Sequence, residues 1–192
     1  MRILVAGDSF AAEWPGNNGW VKLLAKSYDV TNVAQAGCSE YKILKQIQNS
    51  KIEEFDLVIV SHTSYTRVHT PNHPLHKEGL HKDCDLLYND IDRFSLLNPS
   101  LTAAKGYFKY HYDDHYYQTI YSLLRKEINS LLVNKKYLSI SHHEVARLFV
   151  HEDNHLDFSE FWQSNKGKEN HYNIEGNKKI NEIIVDKINK LC

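Results

Sequence analysis

The first nine residues constrain the fold most strongly. Residues 3–6 are apolar at every position, and this short run stops at Gly7-Asp8-Ser9. A strand with one face in water would alternate apolar and polar residues, so an unbroken apolar run predicts a strand at residues 2–6 that is covered on both faces. Strands of this kind occur in parallel sheets with helices on either side. The start of the chain therefore predicts an α/β fold.

The following residues alternate between helix and strand patterns. Residues 20–27 carry apolar side chains at helical spacing, residues 30–33 read as a second strand, and residues 55–60 read as a third. Between the last two strands, Ser39 is a candidate N-cap for a helix whose apolar face includes Leu44. Parallel neighbours need a crossover helix between them. The alternation therefore predicts a three-layer, doubly wound parallel sheet.

The second half of the chain is less regular. We expect a long helix at about residues 101–133, strands at residues 137–141 and 147–150, and a last helix capped by Asn173. Residues 69–100 lose periodicity and contain three of the four prolines. The length of 192 residues suits one domain. We predict a single domain over residues 1–192 with an insertion at about 69–100, lying over or beside the functional site as a lid.

Charge and cysteine content exclude several kinds of partner. The chain has 23 Lys and Arg residues against 24 Asp and Glu residues, so no global field attracts nucleic acid or an anionic membrane. No run approaches the ~20 apolar residues of a spanning helix. The cysteines Cys38, Cys84 and Cys192 include no C-x-x-C pair, which argues against disulfides and zinc knuckles. We expect a cytoplasmic protein with no nucleic-acid or membrane partner.

Chemistry is expected at the carboxyl edge of the sheet, where open parallel sheets bind ligands. The residues that follow the predicted strands are Ser9, Gly37 and Ser61-His62-Thr63-Ser64. Ser9 sits in a strand-to-helix turn, which can present a hydroxyl beside backbone N–H groups. A serine nucleophile needs a base, and His171, just before the last helix, is the candidate. Taken singly, Ser9 could be a turn or cap residue and His171 a surface histidine.

These motifs together resemble the SGNH, or GDSL, hydrolases. The resemblance rests on Gly7-Asp8-Ser9-Phe10 after the first strand, on Gly37 after the second, and on His171 ahead of Asn173-Ile174-Glu175-Gly176. It implies a flavodoxin-like sandwich and hydrolysis or acyl transfer of a small ester, commonly an O-acetylated carbohydrate. It implies Ser9 as nucleophile, His171 as base, and N–H groups of Ser9 and Gly37 as the oxyanion hole. It requires no metal and no organic cofactor.

Two positions depart from the family pattern. The third block lacks its asparagine, so the Thr63 hydroxyl is the expected oxyanion donor, and loss of one such donor costs about 3 kcal/mol. Lys168 stands where an aspartate would orient the histidine, which leaves Glu169 or a main-chain carbonyl for that task, with Asp8 in a supporting role. These departures also allow a non-catalytic ligand-binding module on the same fold. A flavodoxin-like phosphate binder is less favoured, because the turn after the first strand lacks a glycine-rich signature.

Other polar and aromatic residues have two readings each. Arg67 could bind a carboxylate or phosphate of the substrate, or form a surface ion pair. A histidine-rich group with one cysteine could ligate zinc, but its spacing follows no closed-site pattern and we expect no metal; it comprises His69, His73, His76, His81 and Cys84. Several tyrosines could stack on a sugar, but core packing is the expectation; they are Tyr107, Tyr110, Tyr112, Tyr116 and Tyr117. Cys38 is expected to be a small buried residue.

Overall fold

The protein has a five-stranded, all-parallel sheet in the order β2-β1-β3-β4-β5. It is seen in a computed structural model that describes residues 1–14, 19–92, 98–143, 146, 154–167 and 171–191. The strands are β1 (Arg2–Gly7), β2 (Asp29–Asn32), β3 (Leu57–His62), β4 (Tyr137–Ser141) and β5 (His155–Asp157). This is the flavodoxin-like strand order, which confirms the predicted fold class.

Helices cover both faces of the sheet. They are α1 (Trp20–Leu24), α2 (Glu40–Gln48), α3 (Tyr88–Asp92), α4 (Pro99–Tyr110), α5 (Asp114–Leu132), α6 (Ser159–Ser164) and α7 (Ile174–Leu191), with short 3-10 helices at Ile52–Glu54 and Gly79–His81. Asn173 caps α7 as expected, because its Oδ1 accepts the N–H of Gly176 at 2.7 Å. Among the helices that the structure describes, none has both the length and the apolar composition needed to cross a bilayer.

The two sides of β1 face different cores. Ile3 and Val5 pack in a cluster with residues of α1 and α7, whereas Leu4 and Ala6 pack in a second cluster with residues of α2 and α5. Successive side chains of a strand point to opposite faces, so both sets must be apolar. This two-sided burial explains why β1 carries no polar residue between Arg2 and Gly7.

The strand order reverses at β1, and this reversal positions the site. The chain runs from β1 outward to β2 and then returns to pair β3 on the other side of β1. Gly7, the last residue of β1, pairs with Ser61 near the end of β3. The residues that follow these two strands therefore emerge side by side at the carboxyl edge, where ligands bind in open α/β sheets.

In the second half of the chain, one predicted element is wrong and another stays a prediction. The single helix expected at residues 101–133 is two helices, α4 and α5, separated at residues 111–113. The side chain of Asp113 accepts the N–H of Tyr116 at 3.1 Å and caps the start of a new helix. Apolar residues continue at helical spacing across this point, so their pattern does not reveal the break. The strand expected at residues 147–150 lies outside the described residues, and the fifth strand is His155–Asp157.

The expected insertion has more structure of its own than its sequence indicates. Residues 68–86 form a loop whose ends are joined by an antiparallel bridge between Val68 and Leu86, with hydrogen bonds of 2.9 Å in both directions. After this 68–86 loop, Ile91 of α3 packs on Leu101 and Ala104 of α4 in a small separate cluster.

The tyrosines expected in the core are at the surface instead. Tyr110 and Tyr116 are exposed, while Tyr107, Tyr112 and Tyr117 are half-buried. The rings of Tyr112 and Tyr117 stack at 4.8 Å, and Tyr116 contacts Tyr117 edge-on at 5.3 Å. These tyrosines therefore pack mainly on one another.

Candidate active site

The turn after β1 holds Ser9 at the carboxyl edge. A Cβ atom at Gly7 would lie 2.5 Å from Cβ and 2.7 Å from the carbonyl oxygen of Ser61, so only glycine lets β1 and β3 approach this closely. The carbonyl of Asp8 accepts the N–H groups of Ala11 at 3.1 Å and Ala12 at 3.0 Å. Ser9 thus begins a helical turn, where N–H groups have no carbonyl partner within the turn and can bind an anion.

Asp8 links this turn to β3 through a buried carboxylate. Its Oδ1 accepts the N–H of Phe10 at 3.1 Å and the hydroxyl of Ser61 at 3.2 Å. Burial raises the pKa of Asp8 to about 6, although the positive charge of Arg67 and the two hydrogen bonds act in the opposite direction. The carboxylate therefore supports the turn and changes charge in the mildly acidic range.

His171 lies beside the residues that flank Ser9. Its ring is 5.2 Å from the ring of Phe10 and 4.6 Å from that of Trp14. The Trp14 indole N–H donates to the carbonyl of Ser9 at 2.8 Å, so one aromatic side chain contacts both candidate residues. Fold topology thus brings Ser9 and His171 to the same edge from opposite ends of the chain. Lys168 and Glu169 lie outside the described residues.

Gly37 lies in the turn after β2, also at this edge. Its φ of +70° favours glycine, and a Cβ atom there would lie 2.8 Å from Cβ of Cys84. Its carbonyl accepts the N–H of Asp85 at 2.8 Å. The next residue, Cys38, is buried as expected, and its thiol donates to the carbonyl of Gly7 at 3.3 Å. Burial raises the pKa of the Cys38 thiol, so it stays protonated.

Thr63 is held at the end of β3 by a buried carboxylate that sequence reasoning missed. The N–H of Thr63 donates to Oε2 of Glu40 at 3.3 Å, and Oε1 of Glu40 lies 2.5 Å from Nδ1 of His62. All three residues are buried. Glu40 is the first residue of α2, a place where acidic residues are common for helix-dipole reasons alone, so no sequence pattern singles it out.

Arg67 points toward the site. Its Nη1 would lie 3.8 Å from a Cβ atom at Gly37, and its charge contributes to the pKa shifts of Asp8 and His143. Within the described residues, no carboxylate lies within ion-pair distance of its guanidinium group. The surface ion pair considered from the sequence is therefore not seen there, and a half-buried cation faces the Gly37 turn.

Two histidines after β4 complete this edge. The ring of His142 stacks on Phe10 at 4.5 Å, and its Nδ1 lies 2.8 Å from the Tyr172 hydroxyl. The ring of His143 contacts Phe10 edge-on at 4.8 Å. Burial, together with the charges of Arg67 and His171, lowers the pKa of His143 to about 4, so it is neutral at neutral pH.

Sequence reasoning missed both histidines although a signal was available. His142 and His143 directly follow a correctly predicted strand, residues 137–141, and the same strand-end rule had selected Ser9, Gly37 and Thr63. For β4, this rule points to His142 and His143.

The 68–86 loop lies against this edge. The ring of His81 is 5.4 Å from that of Trp14, and Cys84 contacts Gly37 as described above. The loop therefore lies beside the candidate site. Its action as a lid stays a prediction.

One edge of the sheet thus carries several groups of different chemistry. The Ser9 hydroxyl lies at the start of a helical turn, and the His171 imidazole, the Gly37 turn and the Arg67 cation lie at the same edge. The neighbouring histidines His142 and His143 are kept neutral by burial, so they add ring surface and hydrogen-bonding nitrogens without adding positive charge.

Comparison with known proteins relates the chain to others by fold only. No protein-family profile and no curated protein sequence matches it. Solved structures do, among them a provisionally named acylhydrolase from Bacteroides fragilis NCTC 9343 (TM-score 0.51, 13% identity) and a GDSL-like lipase from Bacteroides thetaiotaomicron VPI-5482 (TM-score 0.53, 12% identity). The matches cover 100% of this chain and 88% and 89% of those chains. The chain therefore shares its fold with these two proteins over its full length.

Proposed function

We propose that the protein is a serine esterase or acyl transferase that acts on a small ester, with an O-acetylated carbohydrate as the substrate class. The observation that carries the proposal is the contact of the His171 ring with Phe10 and Trp14, the residues around Ser9. A hydroxyl and an imidazole at the ligand-binding edge of the sheet are the groups that acyl transfer needs, which supports the proposal. The fold shared with acylhydrolase-like proteins supports the same reaction class.

In the proposed mechanism, His171 removes the hydroxyl proton of Ser9 as the serine oxygen attacks the ester carbonyl. The oxyanion receives hydrogen bonds from the N–H groups of Ser9 and Gly37 and from the Thr63 hydroxyl. The C–O bond to the alcohol then breaks, and His171 gives its proton to the departing alkoxide. Water, deprotonated by His171, hydrolyses the acyl-serine; in a transferase, an acceptor alcohol takes the place of water.

Arg67 provides a cation next to the Gly37 turn. We assign it to binding a carboxylate or phosphate group of the substrate, because a guanidinium group forms bidentate bonds with such anions. Its half-buried position and the absence of an ion-pair partner within the described residues support this role. Arg67→Gln should therefore raise KM for an acidic ester more than for a neutral one.

Labelling with a fluorophosphonate tests the proposal directly, because the probe reacts only with an activated serine. The folded wild-type protein should be labelled and should hydrolyse activated acetyl esters, faster as pH rises and His171 loses its proton. Ser9→Ala should lose both signals, with at least about a 1,000-fold drop in kcat. Ser130→Ala, at an exposed serine of α5, is the matched control and should keep both.

Lys168→Asp restores the aspartate of the family pattern at the position from which it would orient His171. If the chain around His171 follows the family's path, the new carboxylate should hold the ring and increase kcat; no gain would mean that Glu169 or a main-chain carbonyl already does so. Absence of labelling in folded wild-type protein, or esterase activity that survives Ser9→Ala, would overturn the serine-esterase proposal. A non-catalytic ligand-binding module on the same fold would then be the better description.

A further inference from the structure

A separate group of metal-ligating side chains lies in the 68–86 loop. His73, His76 and Cys84 each offer one nitrogen or sulfur atom, and these three atoms all lie within 4.8 Å of one another. His73 and Cys84 are buried, and His76 is half-buried. The ring of His81 lies 5.2 Å from that of His76, beside the same group. Two imidazole groups three residues apart in sequence thus converge with a thiol that lies eight residues further along the chain.

The separations are close to those of a tetrahedral zinc site. With zinc–nitrogen and zinc–sulfur bonds of about 2.0–2.3 Å, neighbouring ligand atoms in a tetrahedron are roughly 3.3–3.7 Å apart. Side-chain rotations of modest size would close the remaining gap. One thiolate with two imidazoles is a donor set that favours zinc over the harder cations magnesium and calcium.

We propose that His73, His76 and Cys84 bind a zinc ion that cross-links the 68–86 loop to itself beside the Gly37 turn, with His81 or a water molecule as fourth ligand. Zinc was not expected here from the sequence, because the spacing H-x2-H-x7-C matches no familiar closed site. The tertiary structure supplies the argument that the spacing lacks: the loop folds so that the three ligand atoms meet.

The loop is a segment that a metal ion would stabilise. Its regular structure is limited to the 3-10 helix Gly79–His81, and the backbone of Asp83 is left-handed, with φ of +61°. That turn carries the chain to Cys84, whose Cβ packs against Gly37. A cation ligated from both ends of residues 73–84 closes the loop beside the Gly37 turn.

Metal binding would change the protonation of two of these ligands. The Cys84 thiol has to lose its proton to ligate zinc. Nδ1 of His73 accepts the N–H groups of Leu75 and His76 at 3.2 Å, so the ring carries its proton on Nε2 without metal. Zinc bound at Nδ1 would replace these two long hydrogen bonds, and zinc bound at Nε2 would require the proton to move to Nδ1, which replaces them as well.

Cobalt(II) is the probe that tests ligand identity, because a cobalt–thiolate bond gives an absorption band that no nitrogen or oxygen ligand produces. Chelator-treated protein should bind one Co²⁺ with that band, and Zn²⁺ should displace it with a Kd below about 1 μM at pH 8. Cys84→Ser should lose the band, and His76→Ala should raise the zinc Kd by at least about tenfold. His76 is half-buried, so the second variant is expected to fold even if the first does not.

Cys38→Ser is the matched control, since Cys38 is the other buried cysteine of the described chain and lies outside the group. It should keep the band, which would show that the signal comes from Cys84. The readout is metal binding, so it is independent of the esterase proposal. Three results would each overturn the proposed site. They are binding of less than one equivalent of metal, a band that persists in folded Cys84→Ser, and a zinc Kd that is unchanged in His76→Ala.

Discussion

The two segments that meet at Gly37 are held in different ways. The turn after β1 is fixed by main-chain packing: Gly7 lies against Ser61, and the carbonyl of Asp8 starts a helical turn. The 68–86 loop has main-chain hydrogen bonds between Val68 and Leu86 and from Asp85 to Gly37, and otherwise depends on side chains. The main one is Asp85, whose carboxylate accepts the N–H groups of Ser39 at 2.7 Å and Thr70 at 2.9 Å and pairs with Lys42 at 3.0 Å.

This difference distinguishes the support of Ser9, the proposed nucleophile, from that of the loop beside it. Moving Ser9 requires moving two central strands, whereas the 68–86 loop can open if a few polar contacts break. A reaction centre needs fixed geometry at the nucleophile, and substrate entry needs a part that can adjust. The contrast predicts that damage to the turn after β1 affects the whole fold, while damage at Asp85 stays local.

The largest effect is expected for Gly7→Ala. The added methyl group would lie 2.5 Å from Cβ and 2.7 Å from the carbonyl oxygen of Ser61, so β1 and β3 must separate. We expect the free energy of unfolding to fall by about 3 kcal/mol or more, measured by urea denaturation. Gly106→Ala is the control: no atom lies within 4 Å of its Cβ position in α4, and it should stabilise by about 0.5–1 kcal/mol. Equal effects of the two variants would contradict the close-packing argument.

Asp85→Ala should give the next largest effect, confined to the loop. Removing a fully buried carboxylate leaves the N–H groups of Ser39 and Thr70 without their acceptor, at a cost of about 2–3 kcal/mol. Hydrogen exchange should become faster at residues 68–86 and remain slow in β1. Asp186→Ala, which removes an exposed partner of Lys190, should change stability by less than about 0.5 kcal/mol. Uniformly faster exchange across the sheet would mean that the loop is not a separate unit.

Asp8→Asn should stabilise the protein at high pH. The pKa of Asp8 rises from 3.8 to about 6 on folding, so between these values the folded state holds a proton that the unfolded state has lost. Stability is therefore lost as pH rises through about 6, and above that pH the charged form weakens the fold. An amide keeps the acceptor for the N–H of Phe10. We expect the free energy of unfolding to rise by about 1–2 kcal/mol at pH 8 and to change little at pH 4, as measured by thermal unfolding at both pH values.

His143→Gln should give the smallest effect, with the opposite pH dependence. The pKa of His143 falls from 6.5 to about 4 on folding, so below pH 6.5 the unfolded state binds a proton that the folded state does not. Stability is lost as pH falls through this range. Between pH 7 and pH 5, the free energy of unfolding should fall by about 1 kcal/mol less in the variant than in the wild type. Part of the pH dependence of stability should remain in the variant, because burial also lowers the pKa of His142. An unchanged slope would mean that His143 titrates normally.

Most of the framework could be predicted because its signals are local. Four strands and the helices α1, α2 and α7 follow from apolar periodicity, and the Asn173 cap follows from residue type at a helix start. The break between α4 and α5 was missed because Asp113 interrupts the backbone without interrupting the apolar face. Strand ends also gave the correct edge for Ser9, Gly37 and Thr63, since parallel strands place their carboxyl ends together.

By itself, the sequence determined which segments are buried on both sides and which edge of the sheet carries Ser9, Gly37 and Thr63. These properties depend on residue type and on the spacing of residues along the chain. Only the tertiary structure decided that Glu40 holds Thr63, that Arg67 faces Gly37, and that His73, His76 and Cys84 converge. Such contacts join residues whose separation in sequence has no period, and their geometry comes from how helices and loops pack on the sheet.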